Sequence, residues 1–285
     1  ATHIRHRQRA TAIACSRLMI GVARLKPAAG YIVLGAVLYL VFLLATAPAS
    51  LLAEAAADFS DSVQLGQTRG TLWRGSAQLH AGTPATGVRD LGRLQWNVKP
   101  WWLLVGRAQL GVQIDGASVR GQAQIGVSRG RIALEGLDAS LPASLVNLVY
   151  GPAAFFEPTG TIDVRAPNAE LTASGLTAKV EAQWRGAGGR FMGPASVGDY
   201  RIEITGNGPN ATIRLSTLRG NLDLSGQGTW DVAGDGALQF TGRAQPRGDS
   251  AQLEPLLRAL GRDMGGGERQ IRFNAHIPLV QQLGL

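Results

Sequence analysis

The sequence predicts a mainly β protein in which a single N-terminal transmembrane helix precedes an antiparallel sheet with two short helices. Three observations predict this class. Residues 27–53 contain no charged side chain. From about residue 63, apolar and polar residues alternate with the period of a strand. The 38 glycines follow no collagen-like repeat, so turns and interrupted strands account for them.

The first 26 residues are strongly basic and contain no acidic residue. They hold six of the chain's 28 basic residues: Arg5, Arg7, Arg9, Arg17, Arg24 and Lys26. The remaining 22 basic residues (28 minus 6) nearly balance the 20 acidic ones, although the whole chain has a net charge of +8 and a pI of about 10.5. Because the excess charge is confined to one terminus, a folded nucleic-acid-binding domain is not predicted.

The uncharged segment that follows predicts a transmembrane helix over residues 28–47. Twenty helical residues at about 1.5 Å each span about 30 Å, the thickness of a bilayer core. Positive charge on the N-terminal side alone predicts that residues 1–27 are cytoplasmic and that the rest lies outside. A cleaved signal peptide is the alternative, because Ala45-Thr46-Ala47 fits a cleavage site. The length of the uncharged run and Pro48 after Ala47 favour the uncleaved anchor.

Residues 48–62 are predicted to be a linker, and the external part beyond them contains no cysteine. Cys15 is the chain's one cysteine. The external part can therefore form neither a disulfide nor a cysteine zinc site. No cofactor or metal is predicted, and stability must come from sheet hydrogen bonds and apolar burial.

Period-two alternation runs through the external part. In residues 93–99, Leu94, Trp96 and Val98 share one face of a strand, and the polar residues between them share the other. The same pattern recurs at residues 107–115, 180–184, 200–204, 213–215, 238–240 and 271–273. One apolar and one solvated face is typical of antiparallel sheets.

Two segments depart from this alternation and predict short amphipathic helices. Residues 141–151 contain a proline near the start, clustered leucines and a closing glycine. Within residues 249–261, leucines at 253, 256, 257 and 260 follow helical spacing before a glycine. Since each helix follows a series of strands, the external part is predicted to consist of two similar β-rich halves, 63–151 and 152–285.

A short pattern, Arg-Gly-x-[Leu/Ile], occurs at residues 69–72, 129–132 and 219–222. Its spacing is too irregular for a solenoid repeat. A reused strand-turn-strand unit with glycine at a bend explains the pattern, and a binding loop is the alternative.

The sequence predicts no enzymatic activity. Residues 126–130 match the nucleophile pattern G-x-S-x-G around Ser128, but that chemistry needs a strand, a sharp turn and a helix, whereas strands are predicted on both sides. The external histidines are His80 and His276, too few to support the match. Asp199 and Glu203 flank a strand and are expected to be solvated.

Candidate contact residues fall in two short stretches. Trp101 and Trp102 follow Lys99-Pro100, and three roles are open to them: core packing beneath the sheet, a position at the membrane interface, or an anchor for a partner. Trp73 and Arg74 lie in the first Arg-Gly stretch. We interpret these four residues, Trp73, Arg74, Trp101 and Trp102, as candidate partner contacts.

The order of these segments resembles the N component of the bacterial type II secretion apparatus. The basic N-terminus and single anchor are followed by APASLL (47–52), RGTLWRGSAQL (69–79) and LGRLQWNVKPWWLLVGRAQL (91–110). Further on come LDASLPASLV (137–146), PTGTIDV (158–164), VGDYRIEITG (197–206) and LRGNLDLSGQGTWDV (218–232). The resemblance covers residues 25 to 262.

This resemblance implies a non-enzymatic accessory component of the Gram-negative inner membrane, with a cytoplasmic N-terminus. Its periplasmic domain, an extended and curved sheet, would link the assembly platform to the outer-membrane secretin. The implied partners are those subunits and membrane lipid, and not nucleic acid; a homo-oligomer within a ring-shaped assembly is compatible with them. The sheet is also similar in style to those of AsmA-like envelope proteins, so an apolar groove that binds or transfers lipid is the alternative function.

Overall fold

The computed structural model describes residues 25–51, 54, 63–82, 89–149, 156–190, 197–247, 253, 256–258 and 261–283. Most of the predicted cytoplasmic segment 1–27, including Cys15, and most of the predicted linker 48–62 lie outside the described residues. The chain divides into two compact units, Ala1–Thr46 and Ala47–Leu285.

The first unit contains helix α1 (Leu25–Ala45), which covers most of the predicted segment 28–47. Its side chains are described from residue 30 onward, and large apolar ones such as Tyr31, Leu38 and Phe42 are more than half exposed. Among the described residues, no helix is both long and apolar enough to cross a membrane. The predicted crossing therefore stays a prediction.

The second unit is built on one antiparallel sheet, in which the described residues form 14 strands. The first seven are β1 (Val63–Gly70), β2 (Arg74–Ala81), β3 (Arg89–Val98), β4 (Arg107–Asp115), β5 (Arg120–Ser128), β6 (Arg131–Pro142) and β7 (Thr159–Thr172). The others are β8 (Gly175–Gly188), β9 (Gly198–Gly208), β10 (Asn210–Gly220), β11 (Leu222–Asp231), β12 (Ala237–Pro246), β13 (Arg262–Gly265) and β14 (Glu268–His276). The mainly β, antiparallel class predicted from the sequence is confirmed.

The strands follow one another across the sheet in chain order, except that β14 lies between β12 and β13. β6 and β7 lie on either side of the predicted boundary at residue 151. They pair from Arg131 opposite Thr172 to Pro142 opposite Thr161, so the sheet is continuous across that boundary. The division into two similar halves stays a prediction about internal likeness.

In the described part of the second unit, the helical segments are few and short. A 3-10 helix occupies Pro100–Val105; a second one, Ala143–Leu145, leads directly into α2 (Val146–Val149). Residues 256–258 are helical, and α3 (Leu279–Gln282) follows the last strand. The segments at 143–149 and 256–258 correspond to the two predicted helices; the other two were not predicted.

Successive turns alternate between the two ends of the sheet. We call one the tip end; it carries the β1–β2 turn, the β3–β4 loop with its 3-10 helix and the β5–β6 turn. The opposite end, the far end, carries the β4–β5, β8–β9 and β10–β11 connections. This alternation decides which loops can act together.

Strand register joins the apolar positions into one face. Leu110 of β4 lies opposite Ile125 of β5, which lies opposite Leu134 of β6. Successive residues on a strand point to opposite faces, so the alternation seen in the sequence places apolar side chains on one face and polar ones on the other. The buried parts of the apolar face form four clusters, which we name after Trp96, Val119, Tyr200 and Trp230.

The three Arg-Gly-x-[Leu/Ile] patterns mark strand ends. Gly70 ends β1, Gly130 lies in the β5–β6 turn and Gly220 ends β10, all with positive φ of 94°, 70° and 129°. Glycine adopts this conformation at little cost, so the structure agrees with the turn interpretation. Two of the patterns lie at the tip end and the third at the far end, which excludes one shared binding loop.

Candidate functional site: the tip-end loops and the apolar pocket

The β1–β2 turn presents Trp73 and Arg74 at the tip end. The backbone N–H of Arg74 donates to Thr71 Oγ1 (3.2 Å), and the N–H of Val98 donates to the carbonyl of Trp73 (2.6 Å). Trp73 is half-buried and Arg74 is exposed. The turn is therefore fixed to β3 by hydrogen bonds, with one cationic side chain reaching solvent.

The glycine after Arg74 is required by the buried Trp96 ring. A Cβ on Gly75 would lie 2.4 Å from Trp96 Cζ2 and 2.8 Å from the carbonyl oxygen of Arg69. Trp96 itself is buried, and its indole N–H donates to the carbonyl of Leu72 (3.1 Å). This contact explains why β2 has a glycine as its second residue.

The chain that leaves α1 is held against this same turn. The N–H of Leu72 donates to the carbonyl of Ala47 (2.8 Å), and the N–H of Ala49 donates to that of Gly70 (3.2 Å). Pro48 forms an isolated bridge with Thr71, and Ala49 is buried in the Trp96 cluster. The start of the predicted linker is thus an ordered part of the tip end.

The β3–β4 loop carries the two most exposed large apolar side chains among the described residues of the second unit, Trp101 and Val105. Trp101 is 78% exposed, Trp102 38%, Leu103 45% and Val105 64%. The core alternative is therefore wrong for Trp101, because a 3-10 helix at the edge of the fold turns its ring outward. Proline at the start of this helix and a left-handed glycine at its end fix its length. Those two residues are the signal by which the turn could have been found in the sequence.

The four candidate contact residues lie at the same end of the sheet. The bond between Val98 and Trp73 joins the β1–β2 turn to the strand that enters the Trp101 loop. Arg74 also lines a polar depression of about 510 Å³ on the polar face of the sheet, together with amide side chains such as Gln95 and Gln124. Their role as partner contacts stays a prediction.

An apolar pocket of about 380 Å³ lies on the apolar face towards the far end. The sequence pattern did not predict this pocket, because its walls come from β7, β8, β9 and β11 and from helical segments that are distant in the chain. The centroids of the Trp184 and Tyr200 rings lie 6.2 Å apart. The indole N–H of Trp184 donates to the carbonyl of Thr159 (2.8 Å). The remaining lining residues are Val146, Phe156, Pro158, Ile162, Gly188, Val197, Ile202, Leu222, Leu224 and Leu256.

Asp199, which precedes Tyr200 in β9, is buried, contrary to the expectation that it is solvated. The residue is only 8% exposed. Its carboxylate accepts hydrogen bonds from the backbone N–H of Gly186 (2.7 Å) and from the guanidinium N–H of Arg219. The Gly186 hydrogen bond, and secondly Arg219, hold the pKa of Asp199 below its ordinary value against the opposing effect of burial. The carboxylate therefore pins a β8 bulge to β10.

Tyr200 closes the same end of the pocket. Its hydroxyl donates to the carbonyl of Leu222 (3.1 Å), and the side chain is almost fully buried. Burial, with the neighbouring charges of Asp223 and Asp199, raises the pKa of the Tyr200 hydroxyl well above its ordinary value. The phenol is neutral at physiological pH and acts as a hydrogen-bond donor.

Ser128 lies in a hairpin and not in a nucleophile elbow. It ends β5 opposite Arg131, the first residue of β6, so strands flank it on both sides. The two external histidines lie on other strands: His80 pairs with Asp90 towards the far end, and His276 ends β14, near the opposite edge of the sheet. Within the ranges that the structure describes, no group of three His, Cys, Asp or Glu side chains could hold a metal ion.

Comparisons with known proteins give one family. The family model described as "Type II secretion system (T2SS), protein N" matches residues 61–272. "Type II secretion system protein N" of Klebsiella pneumoniae is 31% identical over 230 residues, which cover 78% of this chain and 85% of the relative. No solved structure matches the chain.

Proposed function

Because this chain belongs to the type II secretion system protein N family, we propose that it is a non-enzymatic inner-membrane component linking the assembly platform to the outer-membrane secretin. A role in type II secretion follows from the family itself. The observation that carries the proposal is the extent of the match. Residues 61–272 begin before β1 and end within β14, so the matched region contains almost the entire sheet, a scaffold that offers faces and edges for contact.

Membrane anchoring is proposed to be the task of α1 and the residues around it. Large apolar side chains are exposed along α1 from Tyr31 to Leu44, and the sequence from residue 27 to residue 53 is uncharged. Such a surface is costly in water and favourable in lipid. The full chain is expected to stay with inner-membrane vesicles after alkaline extraction. Release into the supernatant would contradict anchoring.

Partner binding is proposed to use the edge at β1. Among the described strands, β1 and β13 are outermost. β1 has eight residues, of which Gly70 already accepts a hydrogen bond from Ala49, against four in β13. An added strand gains main-chain hydrogen bonds in proportion to the length of the edge. The adjacent turn adds the cation of Arg74, and the positive φ of Gln67 (46°) marks a bulge that limits unspecific pairing along this edge.

Site-specific photocrosslinking in intact cells tests this adaptor function. A photoreactive residue is placed at Gln64 on the β1 edge, at Arg74 in the turn or at Gln227, an exposed control on the polar face of β11. Crosslinks from the first two positions to secretin or platform subunits, absent from Gln227, are expected. Crosslinks to the same chain would instead indicate a homo-oligomer. Equal labelling from all three positions would contradict a specific edge.

Lipid binding in the apolar pocket is a second candidate function. The specific observation is the 380 Å³ cavity, whose size falls within the range of ligand sites and whose walls are apolar side chains and two pinned aromatic rings. An acyl chain fits this chemistry because it offers no polar group for the walls to satisfy.

Native mass spectrometry of the purified full chain tests the second candidate. Ile202→Phe narrows the pocket without adding charge, and Thr205→Val, an exposed position on the polar face of the same strand, is the matched control. Bound phospholipid is expected in the wild type and the control and not in Ile202→Phe. Lipid of equal amount in all three proteins would place it elsewhere on the chain.

A further inference from the structure

The β3–β4 loop is an exposed apolar wedge with a fixed shape. Trp101, Leu103 and Val105 are each close to half exposed or more, although apolar side chains of this size are costly in water. The N–H of Lys99 donates to the carbonyl of Gln109 (3.0 Å), and the N–H of Gly106 donates to that of Leu103 (3.0 Å). The loop therefore presents its apolar surface without first having to become ordered.

The surroundings of this wedge are cationic. Exposed basic side chains lie on the three neighbouring turns and strand ends of the tip end: Arg69, Arg74, Lys99, Arg107 and Arg129. The segments 69–74, 98–107 and 128–131 contain no Asp or Glu. An apolar tip with a rim of positive charge is the pattern of a surface that binds anionic lipid headgroups and inserts tryptophan at their level.

The chain path connects this tip to the proposed anchor. α1 ends at Ala45, and Ala47, two residues later, is hydrogen-bonded to the β1–β2 turn that β3 also contacts. Two residues span at most about 7 Å. Along the chain, Thr46 alone separates the proposed anchor from the first residue that is hydrogen-bonded to the β1–β2 turn.

We propose that the Trp101 loop inserts into the outer leaflet of the inner membrane as a second, interfacial contact with anionic phospholipid. This inference rests on the proposed placement of the chain at that membrane. A lipid surface is favoured over a protein partner because the β1–β2 turn, which is hydrogen-bonded to β3 at the start of the wedge, is also bonded to Ala47, two residues after the proposed anchor in the chain. The segments that form its rim also carry only positive charge. Two attachment points would hold the tip end at the bilayer and direct the far end away from it.

Fluorescence of a labelled cysteine in nanodiscs tests the insertion. The full chain carries Cys15→Ser and either Trp101→Cys or, as a control at the far end, Leu218→Cys; both positions are exposed. An environment-sensitive fluorophore is attached, and the discs contain phosphatidylethanolamine, phosphatidylglycerol and a headgroup-level nitroxide lipid. The label at 101 is expected to shift to shorter wavelength and to be quenched, whereas the label at 218 does neither.

The cationic rim gives a second readout. Lys99→Glu in the 101-labelled protein is expected to reduce quenching, and replacing phosphatidylglycerol by phosphatidylcholine should have the same effect on the protein with Lys99. If both labels behave as in detergent while the protein resists alkaline extraction, the insertion is wrong and anchoring by α1 stands. A shift at 101 that appears only after adding secretion subunits would also overturn it. Insertion of the label in a protein that alkali releases would refute the anchor instead.

Discussion

Gly75→Ala is the sharpest test of how the tip end is built. The new Cβ would lie 2.4 Å from Trp96 Cζ2, far inside van der Waals contact. The ring cannot withdraw freely, because it is 6% exposed and its N–H is bonded to the carbonyl of Leu72. Overpacking of this kind costs about 1–3 kcal/mol. At about 2–4 °C per kcal/mol for a domain of this size, the Tm is expected to fall by between roughly 2 and 12 °C.

Gly111→Ala provides the matched control for this prediction. Gly111 lies on the neighbouring strand β4, and a Cβ there meets only the carbonyl of Asn97, at 3.8 Å. Alanine also loses less chain entropy on folding, so stability is expected to stay level or to rise by about 0.4–1 kcal/mol. Thermal unfolding of both full-length variants, followed by circular dichroism in the same nanodiscs, makes the comparison.

Two results would refute the reasoning. A Tm for Gly75→Ala equal to that of Gly111→Ala would show that the Trp96 ring moves without cost. The second is additivity: Trp96→Leu removes the clashing atom, so adding Gly75→Ala to it should cost less than in the wild type. If the cost is the same in both backgrounds, the strain does not arise from this contact. A secretion assay on the same variants then shows whether the β1–β2 turn must keep its shape.

Two further predictions concern the far end. Asp199→Asn is expected to lower stability by about 1–3 kcal/mol at pH 7. Because folding lowers the pKa of Asp199, its carboxylate stabilises the wild type above the ordinary pKa of 3.8, and this contribution disappears as the pH falls through the folded pKa. Melting at pH 7 and pH 3 checks it, and an unchanged difference between the two proteins would contradict it. Tyr200→Phe is expected to cost about 0.5–1.5 kcal/mol at pH 7 by leaving the carbonyl of Leu222 without its donor. Since the raised pKa makes the wild type lose stability above about pH 10, the deficit should shrink there; a deficit that grows would show that the phenol ionises inside the fold.

Local alternation predicted the faces of the sheet correctly. Leu94, Trp96 and Val98 share one face, and β4 places Ile114, Val112 and Leu110 opposite them in that order. This worked because the side-chain period of a strand is a property of the backbone alone. The turns at the glycines of the Arg-Gly-x-[Leu/Ile] patterns could be predicted for the same reason, because a positive φ is a requirement of the local backbone.

The pocket and the burial of Asp199 were not predictable by the same means. Both depend on which residues of distant strands lie in register, and the lining residue Leu256 reaches the pocket from beyond β12. In the sequence alone, Asp199 resembles a solvated residue at the end of a strand. It is buried because the β8 bulge at Gly186 turns a backbone N–H towards it, and bulges leave little trace in a single sequence.

The order of the strands has a consequence for how the molecule is made. From β1 to β12, each strand needs only the strand immediately before it, so hairpins can close one after another as successive parts of the chain become free to fold. Contacts close in sequence form faster than distant ones, and no strand waits with an unpaired edge for a partner synthesised much later. The exception comes last: β14 takes its place beside β12 and leaves the short β13 outside it. The sheet can therefore grow strand by strand, with the final hairpin completing it.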